Sequence, residues 1–206
     1  NNYAVKIFSP LVFQGVSILI AALALFLLLL GKRSLCLPSK ELLLYCFLTA
    51  LFTVSIPAVL LLYGTQSSSG INTALLLQTQ MVFALLFFGV FMGERWTVYQ
   101  LLGAFVLMLG SVLVLYNGTF VIAKGELLII LACVFFPFGN HFAKIALQFG
   151  TTLEVLFFRY VIGALIIVPA AFILEEPFTE FPLIRDNLPL FLVIGIVLLV
   201  FGCILL

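Results

Sequence analysis

Charge is what this sequence has least of. Only 8% of its 206 residues are charged against 65% that are hydrophobic, and a soluble domain of that size would have too little polar surface to cover its core. The solvent for most of the chain is therefore lipid. Histidine is scarce too, with His141 the only one. Neither H-E-x-x-H, G-x-S-x-G nor a Walker A phosphate loop occurs, so the usual hydrolytic constellations and direct ATP binding lack their residues. No carboxylates cluster at membrane depth, and no cofactor or metal site is expected. Cys36, Cys46, Cys133 and Cys203 are far apart, with no C-x-x-C, and three of them lie inside apolar runs as small core residues. Nine Lys and Arg against eight Asp and Glu leave a net charge of +1, which points to neither nucleic acid nor an acidic partner.

What the chain does have is long apolar runs: Leu11 to Leu30, Leu42 to Tyr63, Ile71 to Met92, Thr97 to Tyr116, Leu127 to Phe149, Leu153 to Leu174, and Leu188 to Leu206. Each has about the 20 residues a helix needs to cross ~30 Å of hydrocarbon. The runs are continuously apolar, without the alternation of barrel strands, so an all-α, polytopic membrane helix bundle of seven transmembrane helices is expected. Gly31 and Pro38, Gly64 to Gly70, Gly93, Asn117-Gly118, Gly150, Pro177 and Pro182 punctuate the runs. Pro57, Pro137 with Gly139, and Pro169 fall inside them and are expected to break three helices and free backbone carbonyls.

Lys and Arg in the short loops give the orientation. The Gly31 to Glu41 loop holds Lys32, Arg33 and Lys40, whereas Gly64 to Gly70 holds no basic residue and Glu175 to Asn187 is mainly acidic. The Lys32/Arg33/Lys40 loop is therefore expected in the cytoplasm, with the protein multi-pass in the cell membrane. Alternation then places Arg95, Lys144 and Arg159 on or near the inner side and Lys6, Lys124 and Arg185 outside.

A weak internal repeat bears on architecture. Asn2-Tyr3-Ala4-Val5-Lys6-Ile7 is similar to Asn140-His141-Phe142-Ala143-Lys144-Ile145, and Phe13 and Val16 then align with Phe158 and Val161. Both sextets precede an apolar run, and the second ends a full helix beginning near Glu126. Residues 1–9 then read as the remnant of a helix whose beginning is missing, in keeping with a chain that opens without Met. Copies five helices apart have opposite orientation in the membrane, which defines an inverted repeat. The expected whole has ten helices in a 5+5 arrangement. Residues 1–117 would be the first repeat without most of its first helix, and residues 118–206 the second, cut after its third.

Residues 74–116 carry a more specific pattern: an apolar helix, Gly93-Glu94-Arg95, a very short turn, then Gln100-Leu101-Leu102-Gly103-Ala104 and Gly110. This resembles the EamA-type repeat of the drug/metabolite transporter superfamily, and Phe158-Arg159 is similar to the Phe-Arg that opens that family's second helix. The resemblance implies a ten-helix transporter of small metabolites, often outward. Two positions depart from the family: Met81 stands where Pro is frequent, and Phe13-Gln14 stands where the second copy has Phe158-Arg159. Gly93 and Glu94 form the structural turn, with the Glu94 carboxylate favouring a nearby helix N-terminus. Gly103 and Gly110 share a helix face and allow close approach of a neighbour.

The candidate substrate-binding residues are the polar groups at membrane depth, where an Arg costs about 2.5 to 3.5 kcal/mol on insertion scales. Arg159 lies roughly 9 Å into its helix, and His141 and Lys144, beside Asn140, reach a similar depth at i, i+3 spacing. One reading makes His141, Lys144 and Arg159 an electropositive wall for a substrate carboxylate or phosphate. The plainer one has Lys144 and Arg159 snorkel to the interface, partnered by Glu154, with His141 a packing residue. Asn72, Thr73, Thr79 and Gln80 share one face of another helix, toward either a neighbouring helix or an aqueous path; Thr73, Gln80 and Gln14 complete the candidate set. The expected function is a secondary transporter, an exporter working by alternating access, with a small molecule and the lipid bilayer as partners. The pattern fixes no oligomeric state and is compatible with a homodimer. A membrane scaffold subunit without transport, or an intramembrane enzyme, are the alternatives.

Overall fold

The computed structural model describes residues 9–31, 38–93, 95–115, 123–175 and 187–195. Seven helices occupy them: α1 Pro10–Gly31, α2 Lys40–Gln66, α3 Gly70–Phe91, α4 Val98–Leu115, α5 Lys124–Ala146, α6 Thr152–Leu174 and α7 Leu188–Leu192. No strand occurs among the described residues. α1, α2, α3, α5 and α6 are long and apolar enough to cross a membrane, whereas the apolar part of α4, Val98–Gly110, is shorter. Of the seventh expected run only the beginning is described. Residues 1–9, read as a helix remnant, lie outside the description except for Ser9, as do Glu94, Lys32, Arg33, Cys36 and Cys203.

Helix starts follow local chemistry. Pro10 opens α1, where its missing N–H would have had no intrahelical partner. Ser39 and Ser69 cap α2 and α3, their hydroxyls accepting from Leu42 N at 3.1 Å and Asn72 N at 3.2 Å. Thr151 caps α6 in a full capping box with Glu154.

The internal prolines do not interrupt their helices. Pro137 and Pro169 lie within α5 and α6. Ahead of Pro57, Ala50–Ser55 forms a π-helical stretch of α2, a widened turn that absorbs the missing N–H without ending the helix.

The chain divides into two compact units, one drawn from Asn1–Lys6 with Ile56–Phe138 and the other from Ile7–Ser55 with Gly139–Leu206. In the second unit α1 and α6 run antiparallel along their length. The Glu175 carboxylate, at the end of α6, accepts from Leu11 N and Val12 N, each at 3.0 Å, at the start of α1. Farther along, a Cβ on Gly15 would sit 3.4 Å from Val168 Cγ2, and Phe26 stacks on Phe157 with ring centroids 5.9 Å apart. The first half of α2 runs parallel to α6, with Cys46 Sγ donating to Val155 O at 3.8 Å and Val54 against Gly163. The last turns of α5 cross back antiparallel: Phe142 meets Phe52 at 5.9 Å, and a Cβ on Gly139 would collide with Thr53 and Phe52. Lipid tails are as apolar as these side chains, so small residues that let backbones approach are what hold such helices together.

In the first unit α3 runs parallel to the beginning of α5. Leu76, Ile129 and Cys133 form a buried cluster, and Cys133 Sγ donates to Leu76 O at 3.5 Å. The end of α2 reaches the same part of α5, where a Cβ on Gly125 would lie 2.6 Å from Gly64 O. Cys46 and Cys133 are free and buried. α3 and α4 form a hairpin turned at Gly93, whose φ of +67° favours glycine. None of the described side chains of α4 is buried. Nothing lies within 4 Å of a Cβ placed on Gly103 or Gly110, so no described residue makes the close approach that those glycines would allow.

Candidate functional site

Five candidates, Gln14, Asn140, His141, Lys144 and Arg159, belong to the second unit. Arg159 is half-buried one residue from Tyr160, which is 2% exposed. Its Nη2 donates to Tyr160 Oη at 3.1 Å, and its Cζ lies 4.8 Å from the centre of the Tyr160 ring. Charge-assisted hydrogen bonding and the ring's negative face both favour the guanidinium in this poorly hydrated place. Glu154 serves the helix cap: its Oε2 accepts from Thr151 N at 2.7 Å and from Thr151 Oγ1 at 2.8 Å. Asn140 and Lys144 are exposed and His141 is half-buried, its ring 5.7 Å from that of Phe142. Gln14 is half-buried beside Phe13, which packs on Phe191 at 5.4 Å.

Thr73 and Gln80 belong to the first unit. Thr73 Oγ1 is buried and has no hydrogen-bond partner among the described residues, and Gln80 is half-buried. Thr79 Oγ1 donates back to Leu76 O at 2.6 Å. Asn72 Nδ2 donates to Glu126 Oε1 at 2.8 Å, so one end of the polar stripe faces a helix rather than water. Gly93 makes the expected turn, while Glu94 lies outside the described residues. No group of His, Cys, Asp and Glu among the described residues could hold a metal ion.

Three residues with clear roles escaped the sequence reading. Glu126, 7% exposed, also accepts from Ala123 N through Oε2 at 3.1 Å. An acidic residue in the first helical turn was the available signal. In the sequence Glu175 reads only as one charge of an acidic loop. Trp96 folds back so that Nε1 donates to Leu85 O at 3.1 Å, its indole occupying the notch left by Gly89.

The family model described as EamA-like transporter family matches residues 1–116. That stretch is more than half of the chain and includes the α3–α4 hairpin with its Gly93 turn. This chain belongs to the EamA-like transporter family. Neither a curated protein nor a solved structure matches it. Membership identifies an EamA-like membrane transporter with a small-molecule substrate, and the apolar helices agree with an integral membrane protein.

Proposed function

We propose that this EamA-like chain carries seven of the ten helices of an inverted-repeat secondary transporter that exports small metabolites by alternating access. The antiparallel α1–α6 pair is the observation that carries the reading. Gly15 lies against Val168 and Phe26 against Phe157, so the middle of the pair falls near Leu19 and Ala164, which line one groove. Leu19 and Ala164 are also equivalent in sequence, at the same offset that aligns Phe13 with Phe158 and Val16 with Val161. A two-fold axis in the membrane plane that exchanges the repeats would pass there, which supports an inverted arrangement of residues 1–117 and 118–206.

Substrate is received on the basic groups of the second unit. Arg159, held by Tyr160, is the fixed cation, and Lys144, His141 and Asn140 complete a surface for a carboxylate or phosphate; Gln14, next to Gly15 at the Val168 level of α6, stands apart from it. Thr73 and Gln80 form a separate polar face within the first unit. The Lys32/Arg33/Lys40 loop lies in the cytoplasm of a cell-membrane protein, and no ATP is consumed directly.

The test is flux of radiolabelled metabolites across proteoliposomes containing the protein, screened by class. Anionic metabolites are expected to move, with Arg159→Gln and Lys144→Gln each lowering their flux at normal expression. Unchanged flux of every anionic substrate in both variants overturns the basic surface. Product formation without flux would instead make the protein an enzyme, and neither activity would leave a scaffold subunit.

A further inference from the structure

The α3–α4 hairpin holds a cavity of about 310 Å³ near its turn, outside the candidate site. Met81, Leu85 and Phe88 supply apolar walls from α3, and Arg95, Trp96 and Gln100 form the other side. Trp96 is fixed there by its bond to Leu85 O and by the Gly89 notch. With its N–H committed, the ring offers the cavity an apolar face at the end of a membrane helix, where Trp is favoured at the lipid–water boundary.

The rim carries a cation, Arg95. Arg95 is exposed. Gln100 Oε1 accepts from Thr97 N at 2.9 Å, which leaves its amide NH2 as a donor. Among the described residues, no acidic side chain lines the cavity. An apolar groove at the end of a membrane helix, with a cation and an amide donor at its mouth, matches the chemistry of an acyl chain attached to an anionic phosphate headgroup.

We infer that this groove binds an anionic phospholipid, with the headgroup on Arg95 and Gln100 and an acyl chain between Trp96 and Phe88. The inference rests on membrane embedding and charge complementarity and is independent of the substrate proposed above.

Trp96 is the chain's only tryptophan, so its fluorescence reports on this groove alone. The chain is reconstituted in nanodiscs in which either phosphatidylglycerol or phosphatidylcholine carries brominated acyl chains, which quench indole on contact. Brominated phosphatidylglycerol should reach half-maximal quenching at about fivefold lower mole fraction, the enrichment given by ~1 kcal/mol per basic side chain at an anionic surface. Arg95→Gln should abolish the preference. Arg95→Lys should retain it, and so should Lys40→Gln, which removes a cation elsewhere. Equal quenching by the two lipids, or a preference unchanged in Arg95→Gln, overturns the headgroup assignment. Absence of quenching by either lipid shows that protein fills the groove and also overturns it.

Discussion

The α1–α6 pair and the α3–α4 hairpin consist of comparably apolar helices, yet they differ sharply in what they bury. Half of α1, 11 of 22 residues, is buried; α3 buries only Thr73 and Leu76, and α4 buries none of its described side chains. Apolarity does not create the difference, because an apolar side chain facing lipid loses nothing. The pair is joined by features that lipid cannot supply: the close approach at Gly15 and the Glu175 carboxylate on two backbone N–H groups. The hairpin has its tight turn and the Trp96 clasp, but no described residue approaches Gly103 or Gly110. The residues that mark the family most specifically are therefore not the ones that hold the second unit together.

Glycine substitutions test that contrast most severely. Gly139→Leu should lower thermal stability in detergent by about 3 kcal/mol, since its side chain would enter Thr53 and Phe52. Gly103→Leu should stay within about 0.5 kcal/mol of wild type. Equal effects would erase the contrast. Next in size, Asn72→Leu removes a donor from the buried Glu126 carboxylate and should cost about 2 kcal/mol, with Glu126→Gln in the same background recovering part of it. Glu175→Ala should cost about 1.5 kcal/mol by unsealing the first turn of α1, and faster amide exchange at Leu11 and Val12 would localise the loss. Thr151→Ala dismantles the capping box of α6 and should cost about 1 kcal/mol.

The helices were legible because charge-free runs of spanning length leave few alternatives. The expected run Leu153 to Leu174 became Thr152–Leu174, and Ile71 to Met92 became Gly70–Phe91. Helix partners were not legible: both faces of α1 are apolar, so nothing in its pattern marks the side that meets α6. Polarity alone groups Thr73 and Gln80 with Arg159, whereas they belong to different compact units. Glu175 looked like one of several acids in a loop, and only the fold brings it to α1, 164 positions earlier. The prolines suggest breaks that the helices do not have: α5 and α6 continue through Pro137 and Pro169, and a π-helical stretch ahead of Pro57 absorbs its missing N–H.

Alternating access requires the contacts between α1 and α6 to change, since the proposed repeats contribute one helix each. Gly15→Cys with Val168→Cys, in a background with the four native cysteines replaced by alanine, places two thiols where the helices touch. Flux across proteoliposomes is then measured before oxidation, after it, and after reduction. The account predicts that the cross-linked protein stops transporting and that reductant restores the rate. Full transport by a quantitatively cross-linked protein would contradict it.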